Sequence, residues 1–160
     1  MKKHTLSVTV ENRPGVLTRV TTVIRRRGYN IESLTVGQTE NPTISRITLV
    51  VTGDDQIIEQ VSKQLYKLVE VIKIVDITEE RSVERELVLV KVKADTSVRS
   101  EIVQIVDIFR GRIVDIGRSS LIIEATGDSG KIDAIEEALA PFGIIELVRT
   151  GKVAMVRGGK

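Results

Sequence analysis

The chain has 160 residues, and 24 Lys and Arg against 22 Asp and Glu leave a net charge of +2, too small a margin to mark a nucleic-acid binder. With 29% charged and 41% hydrophobic residues it is a folded globular chain, long enough for one domain or two small ones. It has no cysteine, no tryptophan and one histidine, which removes disulfides, thiolate zinc sites and cysteine nucleophiles, and argues against a catalytic triad, a multi-histidine metal site or a base-stacking platform.

Val and Ile supply 43 of the 66 hydrophobic residues. β-branched side chains suit a pleated, half-buried surface, so strands dominate the expected core. The first residues alternate apolar with polar and contain no signal-peptide core. No apolar run reaches 18 residues, so a cytoplasmic location without a membrane span is expected.

Residues 5–10 alternate strictly, with Leu6, Val8 and Val10 on one face, which predicts a strand. The breaker cluster Glu11-Asn12-Arg13-Pro14-Gly15 follows. Val16, Leu17, Val20, Val23 and Ile24 then hold helical spacing, for a helix over about 15–27 that Gly28 stops. Arg25-Arg26-Arg27 complements the negative helix end and reads as a solvated helix terminus in preference to a partner or phosphate contact. Strands are expected at 31–37 and 45–52, with Asn41-Pro42 as the turn between them. Gly53-Asp54-Asp55 opens a helix carrying Ile57, Ile58, Val61, Leu65 and Leu68, and 71–77 is a fourth strand. The order is β-α-β-β-α-β, the ferredoxin-like arrangement.

Residues 80–86 are dense in charge and read as a linker. The pattern then repeats. A strand at 87–93 leads to Thr96-Ser97, which can cap a helix with Val98, Ile102, Ile105, Val106 and Phe109 on its face. Strands near 112–117 and 119–126, a helix from Asp128-Ser129 and a strand at 144–149 complete a second unit, extended through Val153 and Met155. The expected fold is therefore α+β, with tandem βαββαβ units at 1–79 and 87–160. His4 lies at the start of the first strand and reads as structural or surface, because a lone imidazole cannot assemble a site.

The two strand-to-helix connections differ. Residues 94–97, Ala-Asp-Thr-Ser, hold neither glycine nor proline. In the first unit Pro14 fixes φ and gives up an N–H the first helical turn has no use for, and Gly15 permits close backbone approach. The free N–H groups at the helix start favour an anion such as a carboxylate. Asn12 adds an amide, and Asn30 at the far end of the helix adds another. A helix of about 13 residues is roughly 20 Å long, so one small ligand reaches both amides only if a second copy contributes its own loop. From the residues alone, the loop is either an ordinary turn or a cradle for a small anion.

Glu11-Asn12-Arg13-Pro14-Gly15-Val16-Leu17 resembles the ligand loop of ACT domains, the amino-acid-sensing modules of metabolic enzymes. Arg27-Gly28-Tyr29-Asn30-Ile31-Glu32-Ser33-Leu34-Thr35-Val36, Ser45-Arg46-Ile47-Thr48 and Gln64-Leu65-Tyr66-Lys67-Leu68 are similar to the small regulatory subunits of acetolactate (acetohydroxyacid) synthase, and the resemblance covers the whole chain. It implies that the first unit is an ACT domain, that two chains pair so that their sheets join, and that the effector valine lies between the loop of one chain and the helix end of the other. On that resemblance Asn12 and Asn30 match the polar contacts. Gly15, Val16 and Leu17 match the backbone cradle, Pro14 stands in the same loop, and Ile31 lies on the adjacent strand. Arg13-Pro14 follows the general ACT pattern more closely, which leaves leucine and isoleucine as alternative effectors.

The resemblance also implies a non-catalytic subunit that activates a large catalytic subunit in branched-chain amino-acid biosynthesis and confers feedback inhibition. It carries no catalytic residue, metal or cofactor of its own; thiamine diphosphate, Mg²⁺ and FAD belong to the large subunit. The second unit is a candidate surface for that partner. The alternative is a free-standing ACT-type regulator of another enzyme or of transcription, although no helix-turn-helix or basic arm is visible.

Overall fold

The structure is a computed structural model that describes residues 2–158. The described residues divide into two compact units, 2–83 with 154–158 and 84–153. Each is α+β, with helices on one face of an antiparallel sheet.

In the first unit the order is β1 (Lys2–Glu11), α1 (Val16–Arg26), β2 (Ile31–Gln38), β3 (Ile44–Gly53), α2 (Asp55–Leu65) and β4 (Val71–Asp76). The sheet order is β2-β3-β1-β4, so the βαββαβ expectation holds. β1 and β3 pair along their whole length, from Lys2 opposite Gly53 to Glu11 opposite Ile44. The strict alternation sets this register, because a slip of one residue would turn the apolar row to the other face. Leu6, Val8 and Val10 meet Ile47, Leu49 and Val51 beneath Val20 and Ile24 of α1 and Val61 and Leu65 of α2.

His4 continues the inward row of β1 and is 2% exposed. It is therefore structural and not a surface residue. Its Nδ1 lies 3.0 Å from Asp76 Oδ2 and its Nε2 lies 3.3 Å from Asp55 Oδ1, so two carboxylates meet the imidazole at the end of the core. Burial works to raise the Asp76 pKa, but hydrogen bonds from the Thr78 hydroxyl and amide and from His4 outweigh it and hold the carboxyl below its ordinary range.

The second unit holds β5 (Ser82–Lys93) from Glu84 on, α3 (Arg99–Ile108), β6 (Arg112–Ile116), β7 (Ser120–Gly127), α4 (Ser129–Leu139) and β8 (Ile144–Arg149), with sheet order β6-β7-β5-β8. Its core joins Val88, Val90 and Val92 to Leu121, Ile123 and Ala125 under Ile102, Val106, Ile132 and Leu139. A final strand, β9 (Val153–Val156), follows. Arg157, just beyond it, donates from its backbone N–H to Arg81 and from Nε to Ser82.

Three expectations need adjusting. Most of the charged segment 80–86 is strand, since β5 begins at Ser82. The expected cap of α3 at Thr96-Ser97 is absent. Asp95 instead accepts from the backbone N–H of Ser97, and Val98 stands at the cap position with no side-chain bond. Residues 154–158 group with the first unit and not with the second. Both second helices start as expected: Asp54 accepts from the Ile57 N–H and Asp128 from the Lys131 N–H, each at 2.8 Å.

Candidate functional site

Gly15 stands at the cap position of α1 with φ 84°, the left-handed region that a side chain resists. No side chain caps this helix, and its first turn holds no acidic residue. The helix start thus presents backbone N–H groups without a built-in anion. A Cβ at Gly15 would meet nothing within 4 Å, so the space over the loop is open.

Asn12 is exposed but not loose. Its backbone N–H donates to the Thr43 carbonyl at 2.7 Å and its Nδ2 to the Pro42 carbonyl at 3.0 Å. One Nδ2 hydrogen is thereby engaged, which fixes the amide plane; Oδ1 can accept from a ligand, and the second Nδ2 hydrogen can still donate. On the other side of the loop, the Glu11 N–H donates to the Glu70 carbonyl at 2.8 Å, and the buried Glu70 carboxylate pairs with Arg19 of α1. The loop is therefore braced by both of its neighbours.

Pro14 and Leu17 are exposed beside Gly15, Leu17 to 40%. Val16 is only 4% exposed and belongs to the core, so its backbone alone can face a ligand. Asn30 and Ile31 lie at the other end of α1. Asn30 lines two open cavities, one of about 420 Å³ shared with Thr18, Thr22 and Arg25, the other of about 510 Å³ shared with Arg27 and Thr52. α1 has 11 residues, about 16 Å at 1.5 Å each. One chain thus gathers Asn12, Pro14, Gly15 and Leu17 at one end of the helix and keeps Asn30 and Ile31 at the other.

Asn41, Pro42, Thr43, Arg19 and Glu70 support the loop although the sequence assigned them no part in the site. Asn41-Pro42 signalled a turn, but nothing local says that the turn holds a loop 30 residues earlier. In the second unit the corresponding connection is closed over. Arg99 reaches back from α3 with Nε 3.0 Å from the Ala94 carbonyl and Nη2 2.8 Å from the Arg118 carbonyl. Among the described residues no cluster of His, Cys, Asp or Glu could hold a metal ion, and no helix is long and apolar enough to cross a membrane.

Residues 6–73 match a family model described as the AHAS small subunit-like ACT domain, and residues 85–158 match one described as the small subunit of acetolactate synthase. The probable acetolactate synthase small subunit of Archaeoglobus fulgidus is 60% identical over 158 residues, which is 99% of each chain. The chain belongs to the acetolactate synthase small-subunit family. The small subunit of Mycobacterium bovis is 51% identical over 98% of this chain and 94% of that one. The crystal structure of the Thermotoga maritima small subunit superposes with a TM-score of 0.91 at 45% identity, covering both chains completely. Acetolactate synthase small subunits are regulatory and not catalytic, and such a subunit implies a large catalytic subunit as its partner.

Proposed function

We propose that this acetolactate synthase small subunit binds valine at an interface between two copies of the chain, activates the large subunit and transmits valine inhibition to it. The observation that carries the reading is the pair of amide-bearing ends of α1. Asn12 stands beside an uncapped helix start, and Asn30 borders open cavities about 16 Å away. Neither end is a complete amino-acid site. A second chain that set its helix end against the first chain's loop would complete one.

The chemistry of the parts agrees. The N–H groups at the helix start suit the effector's carboxylate. Asn12 Oδ1 suits its ammonium, and exposed Leu17 offers an apolar contact. Among the described residues β2 is an edge of its sheet, next to β3, so its outer side can join the sheet of a second copy. Thiamine diphosphate, Mg²⁺ and FAD would serve the large subunit's joining of pyruvate to pyruvate or 2-oxobutyrate. Valine inhibits only by binding one state of the assembly better than another, and that coupling is reciprocal.

Asn12→Ala and Asn30→Ala should each raise the valine concentration for half-inhibition of the reconstituted enzyme by about tenfold, the scale of one lost hydrogen bond to a charged group. Activation of the large subunit should stay at the wild-type level. Inhibition at wild-type valine concentrations in both variants would refute the site.

A further inference from the structure

The turn between β2 and β3 is more tightly bonded than a connecting turn requires. Asn41 Oδ1 accepts from the Thr43 N–H at 3.0 Å and from the Thr43 hydroxyl at 2.7 Å. The Asn41 N–H donates to Thr39 Oγ1 at 3.2 Å, and the Ile44 N–H closes the turn on the Asn41 carbonyl at 3.0 Å. This is an Asx turn with Pro42 at its centre, and Pro42 removes one of the remaining backbone freedoms. Asn41, Pro42 and Thr43 are all exposed, so no core packing accounts for the order. What the turn presents is two adjacent carbonyls, Pro42 and Thr43. These are the two that hold Asn12 by its side chain and its backbone.

We propose that Asn41 is a positioning residue for effector binding: it fixes the turn whose two carbonyls orient the Asn12 amide, with Oδ1 aimed at the ligand. The inference rests on the effector reading above. Asn41 need not touch valine. It acts through Pro42 and Thr43, and without its Oδ1 the Thr43 N–H and hydroxyl lose their acceptor. The two carbonyls are then free to turn, and Asn12 loses its fixed direction. Aspartate keeps an oxygen at the Oδ1 position and forms the same turn. Alanine does not.

The test is calorimetric titration of valine into the full chain, wild type against Asn41→Ala and Asn41→Asp, with the thermal unfolding midpoint of each. Asn41→Ala should bind valine about five- to tenfold more weakly, the scale of a lost hydrogen bond. Asn41→Asp should bind within about twofold of wild type, and all three midpoints should agree closely, as surface substitutions usually allow. Thr39→Val, which removes the hydroxyl that holds the Asn41 N–H, should weaken binding in the same direction and serves if Asn41→Ala does not fold. Wild-type affinity in Asn41→Ala would overturn the proposal. Equal weakening in Asn41→Ala and Asn41→Asp would overturn it too, since the shared oxygen would then do nothing. No binding of valine by the wild-type chain would sink the effector reading itself, an outcome separate from either.

Discussion

Arg149→Ala should destabilise the protein by about 3–5 kcal/mol, the range seen when one partner of a buried ion pair is removed. Glu86 lies on the inward row of β5, with Val88, Val90 and Val92, and its side chain is 6% exposed. Both of its oxygens are occupied by one guanidinium: Arg149 Nε lies 2.7 Å from Oε1 and Nη2 lies 3.0 Å from Oε2. The same arginine reaches Asp133 of α4 through Nη1 at 2.6 Å. The bonds to Glu86 above all, and then to Asp133, hold this guanidinium protonated even more firmly than usual. Alanine leaves Ser129 Oγ at 3.3 Å as the remaining side-chain partner of the Glu86 carboxylate. The buried charge is then largely unmet, and that is the source of the cost. Replacing both members, Glu86→Leu with Arg149→Met, should recover most of the loss, because an apolar pair of similar volume has no charge to desolvate. Urea denaturation followed by circular dichroism measures both. A loss below about 1 kcal/mol in Arg149→Ala would mean that water satisfies Glu86 and that the pair is decorative.

Ile24→Ala should cost about 2–5 kcal/mol, as large-to-small changes in a filled core do. Ile24 is fully buried and lies in the last turns of α1, packed in the core with Val20, Leu49 and Leu65. The cavity would open beneath the end of the helix that leads into Tyr29 and Asn30. The expected result is therefore double: lower stability, and weaker response to valine through a loosened Asn30. Leu17→Ala is the contrast on the same helix. Leu17 is 40% exposed, so its removal should change stability by no more than about 0.5 kcal/mol. Similar stability losses in the two variants would mean that α1 does not pack as described.

The sequence shows its strands and helices plainly where each obeys one period. Leu6, Val8 and Val10 alternate, Val16, Val20 and Ile24 recur at helical spacing, and Gly-Asp begins the second helix of each unit. It misleads where an inward position is charged. Glu86 falls on the buried parity of β5, yet beside Glu84 and Arg85 it reads as linker. Its partner Arg149 lies 63 residues further on, and nothing local announces it. His4 hides in the same way on the inward row of β1, made tolerable by Asp55 and Asp76 from two other elements. The candidate site divides along similar lines. Gly15 and Asn12 are marked by their own loop chemistry. The brace of Asn12 by Pro42 and Thr43 is a tertiary contact that no local pattern announces.

The central claim is that two chains share each effector site, the loop of one and the helix end of the other. Mixing Asn12→Ala chains with Asn30→Ala chains tests it most directly. In a mixed dimer one site would carry both substitutions and the other neither. After subunit exchange about half of the dimers are mixed, so calorimetry should recover about a quarter of the wild-type valine sites at wild-type affinity, although neither variant alone binds at that strength. Loss of tight binding in each variant with no recovery after exchange would place Asn12 and Asn30 in one chain's site and contradict the account.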